Sequence, residues 1–148
     1  MLYFDSTYLF RIYSVEPGHE AVKELLAQTN QPVAVAWHGR AEIASILLRK
    51  RREAADSPEH LSSLAKQFHD DCQQLLIHFL PLTEAVMTRL ESVLAGAPAT
   101  TNIRAADALH LACAAEHGFA EVHSNDRHFL AAAPLFGLDG VNVINSIL

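Results

Sequence analysis

Short apolar runs alternate with helical stripes along this chain. Leu2-Tyr3-Phe4 is an apolar run ending at Asp5, and Ser6 and Thr7 behind it are suited to capping. The pattern predicts a buried strand that turns at once into a helix reaching Tyr13. Pro17-Gly18 breaks that helix, and an amphipathic one follows with Ala21, Val22, Leu25 and Leu26 on one face. Gln31-Pro32 precedes a second strand, Val33-Ala34-Val35-Ala36. Helical spacing resumes from about Arg40 to Arg52 through Ala41, Ile43, Ala44, Leu47 and Leu48. Ser57-Pro58-Glu59 is a strong helix start, with Ser at the cap and Pro at the first helical position. The stripe Leu61, Leu64, Phe68, Cys72, Leu75 and Phe79 follows, giving way near Leu76 to a third strand that reaches Leu82. Further helices are expected over Thr83 to Leu94, over Ile103 to His117 with Thr101 or Asn102 as cap, and over Asp126 to Ala133. Glu121 to Ser124 and Val141 to Ile144 complete the strands. Strands alternating with helices imply βαβ crossovers, hence an α/β fold with a mainly parallel sheet covered on both faces.

At 148 residues with no repeat, low-complexity tract or linker, the chain is expected to form one domain, residues 1–148. Half of the residues are hydrophobic and 19% are charged, which argues against disorder. Met1 is not followed by a basic and then apolar leader, and no apolar run is long enough to cross a bilayer, so a cytoplasmic protein without membrane attachment is expected. Cys72 and Cys113 sit in apolar stretches and read as small buried residues in a reducing compartment. The net charge of −6 means that a polyanion needs a local basic patch or a metal ion to bind here. Arg49-Lys50-Arg51-Arg52 is the one basic run, and it suits a helix C-terminus as well as a phosphate. Nine histidines invite a zinc site, but they are scattered, without His-x-x-Glu-His or Cys-x-x-Cys spacing. His69-Asp70-Asp71 resembles the His-Asp pair of metal phosphohydrolases, without further ligands at suitable spacings. His110 reads as a packed or surface residue.

Four acids are out of keeping with the pattern. Asp5 ends the first strand and Asp126 lies just past the fourth, and in an open α/β sheet ligands sit beyond the carboxyl ends of the strands. Asp107 interrupts the apolar helix Ala105-Ala106-Asp107-Ala108-Leu109, and Glu42 opens a helix that continues into Ile43, Ile46 and Leu47. A carboxylate withdrawn from water is costly unless it is paired or metal-bound. Each acid alone has an ordinary account. Asp5 and Asp126 suit helix caps, Glu42 complements a macrodipole, and Asp107 can pair with Arg104 one turn back. Four of them converging on one end of a sheet is not explained that way.

Tyr3-Phe4-Asp5-Ser6-Thr7-Tyr8-Leu9, Ala41-Glu42-Ile43, Arg104-Ala105-Ala106-Asp107-Ala108-Leu109-His110-Leu111-Ala112 and Ser124-Asn125-Asp126-Arg127-His128-Phe129 together resemble the PIN-domain family, most closely the VapC toxins of prokaryotic toxin–antitoxin pairs. The gaps match too: 37 residues from Asp5 to Glu42, 65 more to Asp107 and 19 more to Asp126. The resemblance implies a three-layer α/β/α fold around a central, mainly parallel five-stranded sheet, and a ribonuclease dependent on Mg²⁺, with Mn²⁺ as a substitute. It implies that Asp5, Glu42, Asp107 and Asp126 are the metal-site acids and that Ser124 assists them by hydrogen bonding. Carboxylates suit these hard cations, which can activate water and offset charge on a phosphate. RNA as substrate, an antitoxin protein as partner and a homodimer are implied as well. The alternative is a PIN-like module that binds RNA or protein without catalysis. This chain departs from the family at Ala36-Trp37-His38-Gly39-Arg40, where a Ser or Thr usually caps the helix bearing the Glu.

Overall fold

The computed structural model describes residues 1–144. Among them, five short strands, β1 (Leu2–Tyr3), β2 (Val33–Ala36), β3 (Ile77–Leu80), β4 (Glu121–His123) and β5 (Asp139–Val141), alternate with helices. The helices are α1 (Ser6–Phe10), α2 (His19–Thr29), α3 (Gly39–Glu53), α4 (Pro58–Gln73), α5 (Glu84–Gly96), α6 (Ala105–Glu116) and α7 (Arg127–Ala132), with a 3₁₀ turn over Ala133–Phe136. None of them is long and apolar enough to cross a membrane.

All strand pairings are parallel. β1, β2 and β3 make one ladder and β4 and β5 another. A single bridge from Phe4 to His123, with the Asp5 N–H donating to the His123 carbonyl at 3.1 Å, joins the two into the order β3-β2-β1-β4-β5. The expected five-stranded sheet is thus split in two, with one rung across the seam. The reason is local: directly after that rung both chains turn away, Asp5 to cap α1 and Asp126 to cap α7.

Alternation along the strands divides the core between two faces. Tyr3, Ala34 and Ala36 join Val86, Ala108, Leu111, Val122 and Phe129 on the side of α5 and α6. Phe4, Val33, Val35 and Ile77 join Tyr8, Val22, Ile43 and Leu64 on the side of α1 to α4. The architecture is three-layered α/β/α.

Several boundaries differ from the sequence pattern: α1 ends at Phe10 rather than Tyr13, β3 ends at Leu80 rather than Leu82, and three others have a visible cause. The last strand is Asp139–Val141 rather than Val141 to Ile144, because the Asn142 side chain accepts from Tyr8 Oη (3.0 Å) and from the Ile144 N–H (2.9 Å) and ends the pairing. α6 starts at Ala105 with Arg104 extended before it (φ −81°, ψ 153°), so neither Thr101 nor Asn102 caps it. The α4 stripe stops before Leu75, which takes a left-handed conformation (φ 58°) and points to solvent as the chain turns into β3. Ser57 caps α4 as expected, its hydroxyl accepting the His60 N–H at 3.1 Å. Cys113 is buried and Cys72 half-buried.

Candidate active site

β1 pairs with β2 on one side and bridges to β4 on the other, so the connection order reverses between β1 and β4. This is the switch point at which open α/β sheets place their ligands. Asp5 leaves β1 there, and Ser124 and Asp126 leave β4 there. From the flanking helices α3 and α6 come Glu42 and Asp107.

Asp5 divides its carboxylate. Oδ1 accepts the Tyr8 N–H at 2.7 Å and the Thr7 hydroxyl at 3.0 Å, capping α1, while Oδ2 accepts a very short hydrogen bond from Ser124. Asp126 does the same. Its Oδ1 caps α7 through the N–H groups of His128 (2.7 Å) and Phe129 (3.1 Å), and its Oδ2 faces Arg104. The capping and functional accounts of these two acids therefore hold together, with one oxygen serving each. Ser124, fully buried, joins them: its hydroxyl donates to Asp5 and accepts the Asp126 N–H at 3.0 Å. Burial pushes the Asp5 pKa up, against the pull of the Ser124 and Tyr8 hydrogen bonds.

Arg104 spans Asp107 and Asp126. Its Nε donates to Asp107 Oδ2 at 2.9 Å and a terminal nitrogen donates to Asp126 Oδ2 at 3.3 Å, with the side chain 76% exposed. The hydrogen bond and charge of Asp107 push the guanidinium pKa further up. Asp107 itself is buried.

Glu42 is held by a separate set. Its Oε1 accepts from Ser6 Oγ and from His110 Nε2, both at 2.6 Å, and His38 Nε2 lies 3.5 Å away. Burial raises the Glu42 pKa, but the His110 hydrogen bond and charge, with Ser6 and His38, outweigh it and hold the carboxyl below its ordinary value. His110 is fully buried and meets Tyr3 Oη through Nδ1 at 3.0 Å. The set is satisfied when Tyr3 donates to Nδ1 and Nε2–H donates to Glu42. His38, where the family's capping hydroxyl would stand, offers α3 no side-chain cap and bonds the Ala106 carbonyl through Nε2 at 2.9 Å. That bond ties the entry of α3 to the first turn of α6. It leaves His38 Nδ1 buried without a partner, and burial lowers the pKa of the ring.

Among the described residues, the group whose metal-ligand atoms all lie within 4.8 Å of one another is His38, Glu42 and His110, not the four acids. Spacing along the chain could not show this, since His110 and Glu42 are 68 residues apart. The signal available was a polar residue at a position of α6 where Ala108, Leu111 and Ala112 are all buried. The other sequence candidates are occupied elsewhere. Lys50 pairs with Glu16 at 2.7 Å and Arg49 with Glu53 at 3.9 Å, Asp70 pairs with Lys66 at 2.6 Å, and Asp71 accepts from Tyr13 Oη at 2.7 Å.

A parallel α/β/α domain with acids from four elements at its switch point belongs to a recognisable class. The sequence profile of the PIN domain matches residues 2–134, and the chain belongs to that family. FitAcB from Neisseria gonorrhoeae shares the fold with a TM-score of 0.74 at 18% identity, over 97% of this chain and 98% of that one. VapC20 from Mycobacterium tuberculosis, a toxin that cleaves the sarcin-ricin loop, gives 0.65 at 16% identity, over 89% and 95%. VapBC2 from Rickettsia felis, bound to a fragment of its promoter DNA, gives 0.63 at 15% identity, over 96% and 98%. Compared by sequence with curated proteins, the chain matches none.

Proposed function

We propose that this protein is a metal-dependent endoribonuclease, the toxin of a toxin–antitoxin pair, acting in the cytoplasm as a homodimer that a cognate antitoxin holds in check. The observation that carries this reading is Arg104 lying between Asp107 and Asp126 at 2.9 and 3.3 Å. A cationic side chain spanning two carboxylates marks where positive charge is needed, and the donor set there is the all-oxygen kind that Mg²⁺ and Mn²⁺ prefer. Asp5, Asp107 and Asp126 would hold the ion, with Glu42 completing the site. When bound, such an ion activates water and offsets charge on the scissile phosphate.

The chain's own residues do the rest. Ser124 fixes Asp5 and the backbone of Asp126 in one geometry, which would present both acids to the same ion. His110, braced by Tyr3, and Ser6 hold Glu42 in its ionised form, as a metal ligand or an acceptor that orients water would need to be. Arg104, whose side chain is largely in water, would also meet a phosphate oxygen of the RNA backbone. A protein partner is supported by the structural likeness to a toxin–antitoxin complex from Klebsiella pneumoniae. An open, mainly apolar groove of about 390 Å³, lined by Tyr13, Leu26, Pro32, Leu75 and Leu76 with Gln31 and Asp71 among its polar residues, would suit an antitoxin helix.

The test is incubation of purified, antitoxin-free protein with total RNA in Mg²⁺, Mn²⁺ or EDTA, with cleavage sites read by end-mapping. Metal-dependent cuts that vanish in Asp107→Asn are expected. RNA left intact in both metals refutes the reading.

A further inference from the structure

The chain has a single tryptophan, and the fold leaves it in water. Trp37 is 52% exposed, whereas Tyr3, Phe4, Tyr8, Phe10 and Phe129 are all buried. It is the one aromatic among the exposed large apolar residues described. An exposed indole forgoes the burial that aromatic side chains ordinarily obtain on folding.

This indole is nevertheless held. The Trp37 N–H donates to the Leu80 carbonyl at 2.8 Å, fixing the backbone at the carboxyl end of β2. Phe79 meets the ring edge-on, with centroids 6.2 Å apart at 84°. The Arg40 guanidinium lies 4.9 Å from the Trp37 centroid and 5.7 Å from that of Phe79. Among the described residues Arg40 has no carboxylate partner, so its charge is available to an anion. The chain leads from this platform straight to the acids: the next residue, His38, sits 3.5 Å from Glu42 and bonds Ala106, which precedes Asp107.

A half-exposed indole with a guanidinium over its ring, and no carboxylate among the described residues to neutralise that charge, matches a nucleotide, which brings a stacking base and a phosphate together. An apolar protein surface would instead desolvate the Arg40 charge with nothing to meet it. We propose that Trp37, with Arg40 beside it, is a stacking site for an unpaired base of an RNA strand whose backbone enters the acid pocket. This rests on the ribonuclease reading and adds to it a requirement for single-stranded substrate next to the cut.

Because Trp37 is the only tryptophan, intrinsic fluorescence reports on this site alone. The full-length protein is titrated in EDTA with a single-stranded oligoribonucleotide, and with an abasic oligomer of equal length and charge. Saturable quenching by the first, weak or absent with the second, is expected. In Mn²⁺, Trp37→Ala should raise KM for a single-stranded substrate by about tenfold with kcat within about twofold, and Trp37→Phe should recover most of the loss. Equal quenching by the abasic strand, or an unchanged KM in Trp37→Ala, overturns the proposal. So does emission that shifts with protein concentration and not with RNA, since Trp37 would then be a contact between copies. If the wild type cleaves no RNA the ribonuclease reading fails, and the titration still decides whether Trp37 stacks a base.

Discussion

Replacing Arg104 by Gln tests whether its guanidinium competes with the proposed metal ion for Asp107 and Asp126. Arg104 donates to Asp107 and Asp126 with its side chain largely in water. Ion pairs this exposed are each worth about 0.2–1 kcal/mol, so losing both is expected to cost about 1 kcal/mol. For a chain of this length that lowers Tm by about 2–4 °C. In Mn²⁺ the deficit should shrink. An ion taking Asp107 and Asp126 first has to displace the guanidinium, and the free energy of that displacement weakens binding in the wild type. Arg104→Gln removes the competitor, so its Kd is expected to tighten by about the same 1 kcal/mol, roughly fivefold. Since bound ligand stabilises by RT ln(1 + [L]/Kd), the two melting curves should converge as Mn²⁺ rises. Thermal melts from EDTA to millimolar Mn²⁺, with Kd from calorimetry, measure both effects. Asp107→Ala belongs in the same series and should lose most of the metal-induced rise in Tm. A gap between wild type and Arg104→Gln that stays constant across the titration refutes the competition. Loss of the metal response in Arg104→Gln would instead make Arg104 an organiser of the site.

Asp5→Asn is expected to lower RNA cleavage by about a hundredfold or more with only a small change in Tm, because Asn keeps an acceptor for the Tyr8 N–H and relieves a buried charge; normal cleavage removes Asp5 from the site. His110→Ala strands Tyr3 Oη and one side of Glu42 and opens a void in the core, which should cost about 2–4 kcal/mol in urea denaturation. A cost below about 1 kcal/mol would mean that the buried set contributes little to the fold. Burial holds His123 below the ordinary imidazole pKa, so its neutral form stabilises the fold above pH about 6.5, and that contribution is lost as pH falls through the folded-state pKa. Each such histidine can contribute at most about 1.4 kcal/mol per pH unit. His123→Gln should therefore flatten the fall in stability between pH 6.5 and 5, and melts at fixed ionic strength that keep the wild-type slope count against it.

The order of elements was legible in the sequence because it depends on near neighbours. Apolar runs such as Val33-Ala34-Val35-Ala36 and stripes at three- and four-residue spacing each report a local period, and Ser57-Pro58 names its own helix start. Asp5 and Asp126 were legible for the same reason, since an acid directly after a strand both caps the next helix and points past the sheet. Boundaries slipped where a distant group intervened, as when Tyr8, 134 residues away, meets Asn142 and ends the last strand. The assembly of the site was decided by the strand order alone. With β1 seated between β2 and β4, the Ser124 hydroxyl comes to rest on Asp5, His110 reaches Glu42, and Arg104 is carried over Asp126 as well as Asp107. No period of two or 3.6 residues encodes such meetings. They arise because hydrogen-bond partners in a parallel sheet are set by which strands become neighbours, and that choice is made by the packing of the two cores on either side.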